Sequence, residues 1–152
     1  MTTDVNELQK LIMSTGLASY GDFVGCSPAE IREVETGSKV VLPRFYAQFL
    51  ETMGRGAGGF LKGSSVFYPE LLRLRGYAED LLREGGTAFQ LGERDFVFYV
   101  HQGYQFAYFH ADVGDDDPPV WCFEEGWETP KERWGSLSAF FLAVARDQGV
   151  LP

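Results

Sequence analysis

The chain has 152 residues and a formal net charge of −9, from 22 Asp and Glu against 13 Lys and Arg, with a sequence pI near 4.6. This balance argues against a nucleic-acid or anionic-membrane partner, because clustered Lys and Arg hold such partners. It favours a basic protein as the charged partner. The length fits one domain, since a chain of about 150 residues buries roughly 68 to 70% of its unfolded surface.

Two cysteines, Cys26 and Cys122, lie far apart without a C-x-x-C motif. They predict neither a disulfide framework nor a zinc ribbon. The N-terminus lacks the cationic and apolar segments of a signal peptide, and no run approaches the roughly 18 apolar residues of a membrane span. We therefore expect a soluble cytoplasmic protein without a metal or a cofactor.

Periodicity and capping residues predict two helices near the N-terminus. Residues 4–14 form the first, begun by the capping pair Asp4 and Glu7, and the second begins at Pro28 behind the N-cap Ser27. Their inward-facing residues are Val5, Leu8, Ile12, Ile31 and Val34.

A third helix is predicted to open at Pro43 and to end before Gly54, followed by a glycine-rich loop over residues 54–64. A short strand over Ser65 to Tyr68 and a fourth helix from Pro69 to about Arg83 come next. The apolar residues of the two helices are Phe45, Tyr46, Phe49, Leu50, Met53, Leu71, Leu74, Ala78, Leu81 and Leu82.

The second half of the chain changes to strand periodicity. Residues 95–101 and 104–110 are rich in aromatic and β-branched side chains, and they flank a two-residue turn at Gln102-Gly103, which predicts a hairpin. The expected register places Asp95 opposite His110, with both histidines on one face. The remaining expected pairs are Val97 with Tyr108, Tyr99 with Phe106, and His101 with Tyr104.

Residues 120–123 form a third strand candidate, and Ser136 caps a closing helix with an apolar stripe. The stripe consists of Leu137, Phe140, Phe141, Val144 and Ala145. The order of elements predicts a single α+β domain over residues 1–152. Its mostly antiparallel sheet packs with N-terminal, middle and C-terminal helices.

The glycine-rich segment over residues 54–59 reads G-x-G-x-x-G as a string. It follows a predicted helix, whereas a dinucleotide site needs a strand, a tight turn and a helix N-terminus. No Lys-Ser or Lys-Thr follows at P-loop spacing. A flexible loop is the better interpretation, although a long glycine-rich loop is also a candidate contact surface.

Catalytic motifs are weak throughout the chain. His101 and His110 lack metal-site spacing, and Asp95 beside His110 is interpreted as a cross-strand polar pair. A hydrolase built on these residues or on the carboxylates of residues 124–128 is a third reading, but nucleophile, base and orienting group cannot be assembled from them. We expect no catalytic residues.

Residues 111–135 carry eight acidic and two basic side chains, so they hold −6 of the net charge of −9. Trp127 stands inside this stretch, and an aromatic side chain among carboxylates is a typical anchor for a cationic partner, with ordinary packing as the alternative. The predicted partner-binding residues are Asp112, Asp115, Asp116, Asp117, Glu124, Glu125, Trp127 and Glu128.

A set of short motifs runs through the chain in a fixed order. They are GCSPAEI at 25–31, Glu35, Leu42-Pro43, Phe45-Tyr46, Phe49-Leu50, Phe96-Val97-Phe98, residues 101–104, Phe109, Asp117-Pro118-Pro119-Val120, Glu125-Gly126, and Ser136 with Phe140-Phe141-Leu142. Over about residues 25–142 this set resembles the SUKH superfamily, which includes bacterial immunity proteins and a fungal cell-wall assembly regulator. The chain departs from the pattern at residues 53–56, where an Asn-Gly is common in the superfamily.

The resemblance implies an α+β domain with helices around a mixed or antiparallel sheet. It also implies an antidote that binds a toxin domain, often a nuclease, and it carries over no catalytic residue. Together with the acidic charge, it predicts an immunity protein that occludes a cognate basic toxin. The alternative is an intracellular adaptor of the cell-wall regulator type without a toxin.

Overall fold

The computed structural model describes residues 4–112 and 114–147. Its five helices are α1 (Val5–Ser14), α2 (Pro28–Ser38), α3 (Arg44–Met53), α4 (Leu74–Glu84) and α5 (Leu137–Arg146). Its strands are β1 (Phe23–Val24), β2 (Gly56–Ala57), β3 (Ser64–Ser65), β4 (Asp95–His101), β5 (Gln105–His110), β6 (Val120–Glu124) and β7 (Lys131–Trp134). Short 3-10 turns at Tyr20–Asp22 and Glu70–Arg73 complete the described elements.

The strands form a two-stranded sheet, β1-β2, and a five-stranded sheet in the order β3-β4-β5-β6-β7. Every pairing in both sheets is antiparallel. The α+β fold predicted from the order of elements is therefore confirmed. Consecutive strands are neighbours throughout the larger sheet, and the connection from β3 to β4 contains α4.

The helix starts follow the capping residues seen in the sequence. Ser27 Oγ accepts the Glu30 amide at 3.2 Å, and Glu30 Oε1 accepts the Ser27 amide at 2.9 Å, which completes the capping box of α2. Asp4 accepts the Glu7 amide at the start of α1, and Ser136 accepts the Ala139 amide at the start of α5. These bonds satisfy amides that the first turn of a helix would otherwise leave unpaired.

The main core lies between one face of the larger sheet and the helices α1, α3 and α5. Tyr46 of α3 packs its ring against Phe96, Phe98 and Phe109 at centroid distances of 5.3 to 6.1 Å. Phe141 of α5 stacks on Phe49 of α3 at 4.4 Å. The predicted apolar faces of α1, α3 and α5 are all buried here, as their 3.6-residue period requires.

Helix α4 covers part of the opposite face of the sheet, where it packs on β4. Phe106 and Phe123 pair across β5 and β6 on this face, and their rings lie 5.4 Å apart. Phe89, in the connection from α4 to β4, packs against Tyr108 at 6.3 Å. On this face, α4 and the connection that follows it form a second, smaller layer of packing.

A bulge changes the predicted hairpin register in its second half. The pairs Asp95 with His110 and Val97 with Tyr108 are confirmed. The register then shifts between Val97 and Tyr99, so the predicted pairs of Tyr99 with Phe106 and His101 with Tyr104 are wrong. The observed pairs are Tyr99 with Ala107, Val100 with Phe106, and His101 with Gln105.

The cause is a three-residue turn, Gln102 to Tyr104, in place of the predicted two-residue turn, with positive φ at Gln102 and Gly103. One extra residue reverses which side chains face the core. His101 now lies opposite Gln105 and shares its face of the sheet. Because Gln105 and His110 are five positions apart on β5, His110 lies on the other face. The prediction that the two histidines share a face is therefore wrong.

Residues 54–64, predicted as a glycine-rich loop, are largely packed into the fold. They contain β2 and the start of β3, and Ala57, Phe60 and Leu61 are buried. The strand predicted over Ser65 to Tyr68 lies instead at Ser64–Ser65. The fourth helix begins as a 3-10 turn and becomes α-helical only from Leu74.

Gly25 marks the closest approach of the segment before α2 to α3. A Cβ at this position would lie 1.8 Å from the Glu51 carbonyl oxygen, and the neighbouring Cys26 amide donates to the Leu50 carbonyl at 2.8 Å. Only glycine allows two backbones to approach this closely. The Gly25-Cys26 pair of the sequence pattern therefore has a packing function.

Candidate partner-binding site

The predicted partner-binding residues divide into two groups at opposite ends of β6. Asp112, Asp115, Asp116 and Asp117 precede the strand, and Glu124, Glu125, Trp127 and Glu128 end or follow it. A five-residue strand spans about 13 Å from its first to its last residue. The acidic stretch, continuous in sequence, therefore forms two separate surfaces.

At the first end, which we call the aspartate end, the acidic residues bind the chain itself. Asp117 is half-buried and accepts the backbone amide of Ser138 at 2.9 Å and its hydroxyl at 2.5 Å, at the N-terminus of α5. The Asp116 carbonyl accepts the Phe45 amide of α3 at 3.0 Å. This segment thereby joins the starts of two core helices, where negative charge is favourable.

The other two aspartates of this end also have partners within the chain. Asp115 Oδ1 accepts the Asp117 amide at 3.1 Å, and Asp112 Oδ1 lies 3.8 Å from Nη1 of Arg94. Asp112, Asp115 and Asp116 are exposed, whereas the Asp117 carboxylate is engaged in holding α5. Both oxygens of Asp117 therefore have partners within the chain.

The second end, which we call the glutamate end, is the turn between β6 and β7. The Trp127 amide donates to the Glu124 carbonyl at 2.9 Å, and the Glu125 amide donates to the Tyr104 carbonyl of the hairpin turn at 2.8 Å. Gly126 takes a φ of +94°, which a side chain would strain. Backbone bonds, rather than the carboxylates, hold this turn in place.

Trp127 is half-buried and is held from one side by a cation of its own chain. Nζ of Lys131 lies 4.4 Å from the centroid of the Trp127 ring, within the range of a cation–π contact. The indole also packs against the core. Both predicted roles of Trp127, packing and exposure to a partner, thus remain physically compatible.

The glutamate end borders an open cleft of about 510 Å³. Its other wall is the C-terminal part of α4 and the connection that follows it, and Thr87 Oγ1 of that connection donates to the Glu128 carbonyl at 2.7 Å. The apolar side chains that line the cleft are Leu81, Ala88, Phe89, Phe123 and Trp127, and the acidic ones are Glu84, Glu125 and Glu128. Glu84, Glu125 and Glu128 are exposed.

Sequence reasoning missed the α4 side of this cleft. Leu81 was predicted as a core residue, and Glu84, Thr87 and Phe89 were assigned no role. The predicted end of the helix before Gly85-Gly86 is confirmed, but no local signal in the sequence shows where the connection after it packs. It lies against β5, where Phe89 packs on Tyr108.

Other polar clusters are small. Asp95 Oδ1 lies 2.6 Å from Nδ1 of His110, which confirms the predicted cross-strand pair, and Ser64 Oγ lies 2.8 Å from Nδ1 of His101. Across residues 4–112 and 114–147, no three His, Cys, Asp or Glu side chains are grouped so that they could hold a metal ion.

The two thiols are buried and unpaired with each other. Burial raises the pKa of Cys26 to about 11, with the nearby Glu30 adding to the increase, and burial raises that of Cys122 to about 12. Both therefore stay protonated at neutral pH and behave as small apolar residues.

The segment over residues 54–59 presents one ion pair at the surface. Arg55 Nε lies 3.1 Å from both oxygens of Glu30, and its guanidinium stacks 5.0 Å from the ring centroid of Tyr68. The Arg55 hydrogen bond, followed by the amide of Ser27, lowers the pKa of Glu30 to about 2. This charge is already satisfied within the chain.

In the described part of the chain, no helix combines the length and apolar character needed to cross a bilayer. The model of the SMI1 / KNR4 family (SUKH-1) matches residues 25–143, which is most of the chain. No curated protein matches the sequence. At the level of the family, the match supports a role in immunity or in cell-wall assembly.

Proposed function

The chain belongs to the SMI1 / KNR4 family (SUKH-1), and from this premise we propose that it is a cytoplasmic immunity protein that neutralises a cognate toxin by occlusion. The proposal is for a binding protein without a catalytic step of its own. Among the two roles that the family supports, the acidic surface favours the one whose partner is a basic protein such as a nuclease.

The observation that carries this proposal is the cleft at the glutamate end, where acidic side chains border an aromatic floor. Interfaces draw most of their affinity from a few aromatic or arginine anchors in desolvated pockets, surrounded by polar contacts. Trp127, Phe89 and Phe123 supply the aromatic part. Glu125 and Glu128 supply negative charge, which complements the positive surface of a nucleic-acid-binding toxin.

The mechanism of neutralisation follows from charge and shape. A net charge of −9, with −6 of it in residues 111–135, attracts a basic surface over distances up to a Debye length of about 10 Å at 0.1 M salt. Attraction accelerates encounter, and burial of the aromatic floor then slows dissociation. A toxin whose basic substrate-binding surface is covered in this way cannot bind its polyanionic substrate.

Co-expression tests the proposal. Each toxin domain encoded beside this protein is produced with and without it in a sensitive host, and we expect rescue of growth and co-purification of one toxin. A Trp127→Ala/Glu125→Gln/Glu128→Gln variant should lose the rescue while remaining folded by circular dichroism. If every neighbouring toxin kills equally with and without the protein, the immunity function is wrong.

An adaptor role, the second role that the family supports, predicts a different outcome of the same experiment. The protein would then co-purify with host proteins but rescue no toxin-producing cell. A gene neighbourhood without toxin genes would favour this alternative.

A further inference from the structure

We propose that the cleft between α4 and the β6–β7 turn binds one arginine or lysine side chain of the partner. The aliphatic stem of this side chain packs on the aromatic floor, and its cation lies among the glutamates. This inference rests on the proposed function, because it names the chemistry that the cleft recognises. Binding of a basic side chain in the cleft can be measured without the toxin.

The floor of the cleft suits the aliphatic part of such a side chain. Phe123 is buried, and Phe89 and Trp127 are half-buried, so a ligand in the cleft would complete the coverage of their rings. Long basic side chains bury their methylene stems on apolar surface while their charged heads stay near water. An open cleft of about 510 Å³ has room for one such side chain and its flanking backbone.

The rim suits the cation. Glu84 lies on one wall and Glu125 and Glu128 lie on the other. These three carboxylates form no ion pair with a Lys, Arg or His within the described residues. We expect an arginine in the cleft to bind carboxylates of both walls, because its planar fork presents five N–H donors.

Lys131 shows that the Trp127 ring accepts a cation. Its ammonium lies over the ring at 4.4 Å, yet Lys131 is absent from the lining of the cleft. It therefore holds the indole from outside and leaves the cleft side of the residue available. A ring fixed before binding loses little conformational freedom when the ligand arrives, which favours affinity.

The walls of the cleft are also joined before any partner binds. The Thr87 hydroxyl donates to the Glu128 carbonyl at 2.7 Å, and the Glu125 amide donates to the Tyr104 carbonyl at 2.8 Å. The first bond joins the α4 connection to the β6–β7 turn, and the second holds that turn against the turn between β4 and β5. At the aspartate end of β6, the described polar contacts run instead to Ser138, Phe45 and Arg94 of the same chain.

The test is a titration of the whole isotope-labelled protein with a capped Gly-Arg-Gly peptide, followed by backbone amide NMR at low salt. We expect millimolar binding with shifts confined to residues 81–89 and 123–129. The same peptide with citrulline, which keeps the shape of arginine but lacks its charge, should bind at least about fivefold more weakly.

Two matched variants, each removing two charges, complete the design. Glu125→Gln/Glu128→Gln should weaken peptide binding by about five- to tenfold, and Asp112→Asn/Asp116→Asn, at the opposite end of β6, by less than twofold. Equal binding of arginine and citrulline peptides, shifts that map to residues 112–117, or no shifts at millimolar peptide would each overturn the proposal. The titration contains no toxin, so a negative result would overturn the binding of a basic side chain in the cleft without deciding the immunity function. A failed rescue, in turn, would overturn the immunity function without changing the result of the titration.

Discussion

The two ends of β6 are alike in sequence and different in use. Both carry closely spaced carboxylates, but Asp117 binds the start of α5 and Asp112 approaches Arg94, whereas Glu125 and Glu128 border a cleft. A carboxylate that accepts an internal hydrogen bond contributes to the stability of the fold. One that faces an aromatic cleft without an internal cation is available to a partner.

The comparison teaches that acidic residues cannot be assigned to a binding surface by counting charge. By the number of carboxylates alone, the aspartate end is as good a candidate for a binding surface as the glutamate end. What separates them is the presence of backbone donors at the starts of α3 and α5, which only the folded chain brings to the aspartates.

The largest expected effect is on stability at the aspartate end. Asp117→Ala removes both bonds to Ser138 and leaves an amide in the first turn of α5 without its acceptor, so we expect a loss of about 2 kcal/mol in the free energy of unfolding. Urea denaturation followed by circular dichroism measures it. Asp116→Ala, which keeps the backbone bond to Phe45, should change stability by less than about 0.5 kcal/mol. An equal decrease in the free energy of unfolding for both variants would show that the bonds from Asp117 to Ser138 do not stabilise the fold.

The second effect is on association with the neutralised toxin. Glu125→Gln/Glu128→Gln should slow association about tenfold at low salt, and the difference should shrink in about 0.5 M salt, because exposed charges are screened. Stopped-flow fluorescence measures the rates. For Asp112→Asn/Asp116→Asn we expect a decrease of less than threefold. Identical slopes against salt for both pairs would mean that only the total charge matters and would break the distinction between the ends.

A smaller effect is expected at the joint between the two walls of the cleft. Thr87→Val preserves the shape of the side chain but removes the donor to the Glu128 carbonyl, so the free energy of unfolding should fall by about 1 kcal/mol. Hydrogen exchange of amides in residues 85–89 should accelerate. Thr129→Val, at an exposed position of the same cleft, is the control and should leave both quantities unchanged.

The smallest effect is the acid dependence of an ion pair remote from both ends. Arg55 lowers the pKa of Glu30 from 4.5 to about 2 in the folded protein. Its stabilising contribution is therefore fully present above pH 4.5 and is lost as the pH falls from about 4.5 to about 2. The stability difference between the wild type and Glu30→Gln should shrink over this window in urea titrations. A difference that stays constant with pH would indicate that the pair is not formed in solution.

Most of the fold was predictable because its signals are local. The capping box of α2, the apolar faces of α3 and α5 and the alternation of β4 and β5 each depend on residues a few positions apart. The errors arose where a tertiary contact decides. The bulge between Val97 and Tyr99 follows from the length of a turn, and β7, with its exposed polar residues, becomes a strand only because β6 is beside it.

The candidate site was half predictable for the same reason. The sequence showed Trp127 and the glutamates around it, because they are neighbours along the chain. It could not show Glu84 or Phe89, about 40 residues earlier in the sequence, since the α4–β4 connection has no pattern of its own.

The sequence by itself determined an acidic α+β chain with the motif order of its family, because composition, period and capping are properties of neighbouring residues. Only the tertiary structure decided which carboxylates serve the fold and which border the cleft. That choice depends on where helix amides, cations and aromatic rings lie in space, and those positions are set by contacts between segments far apart in the chain.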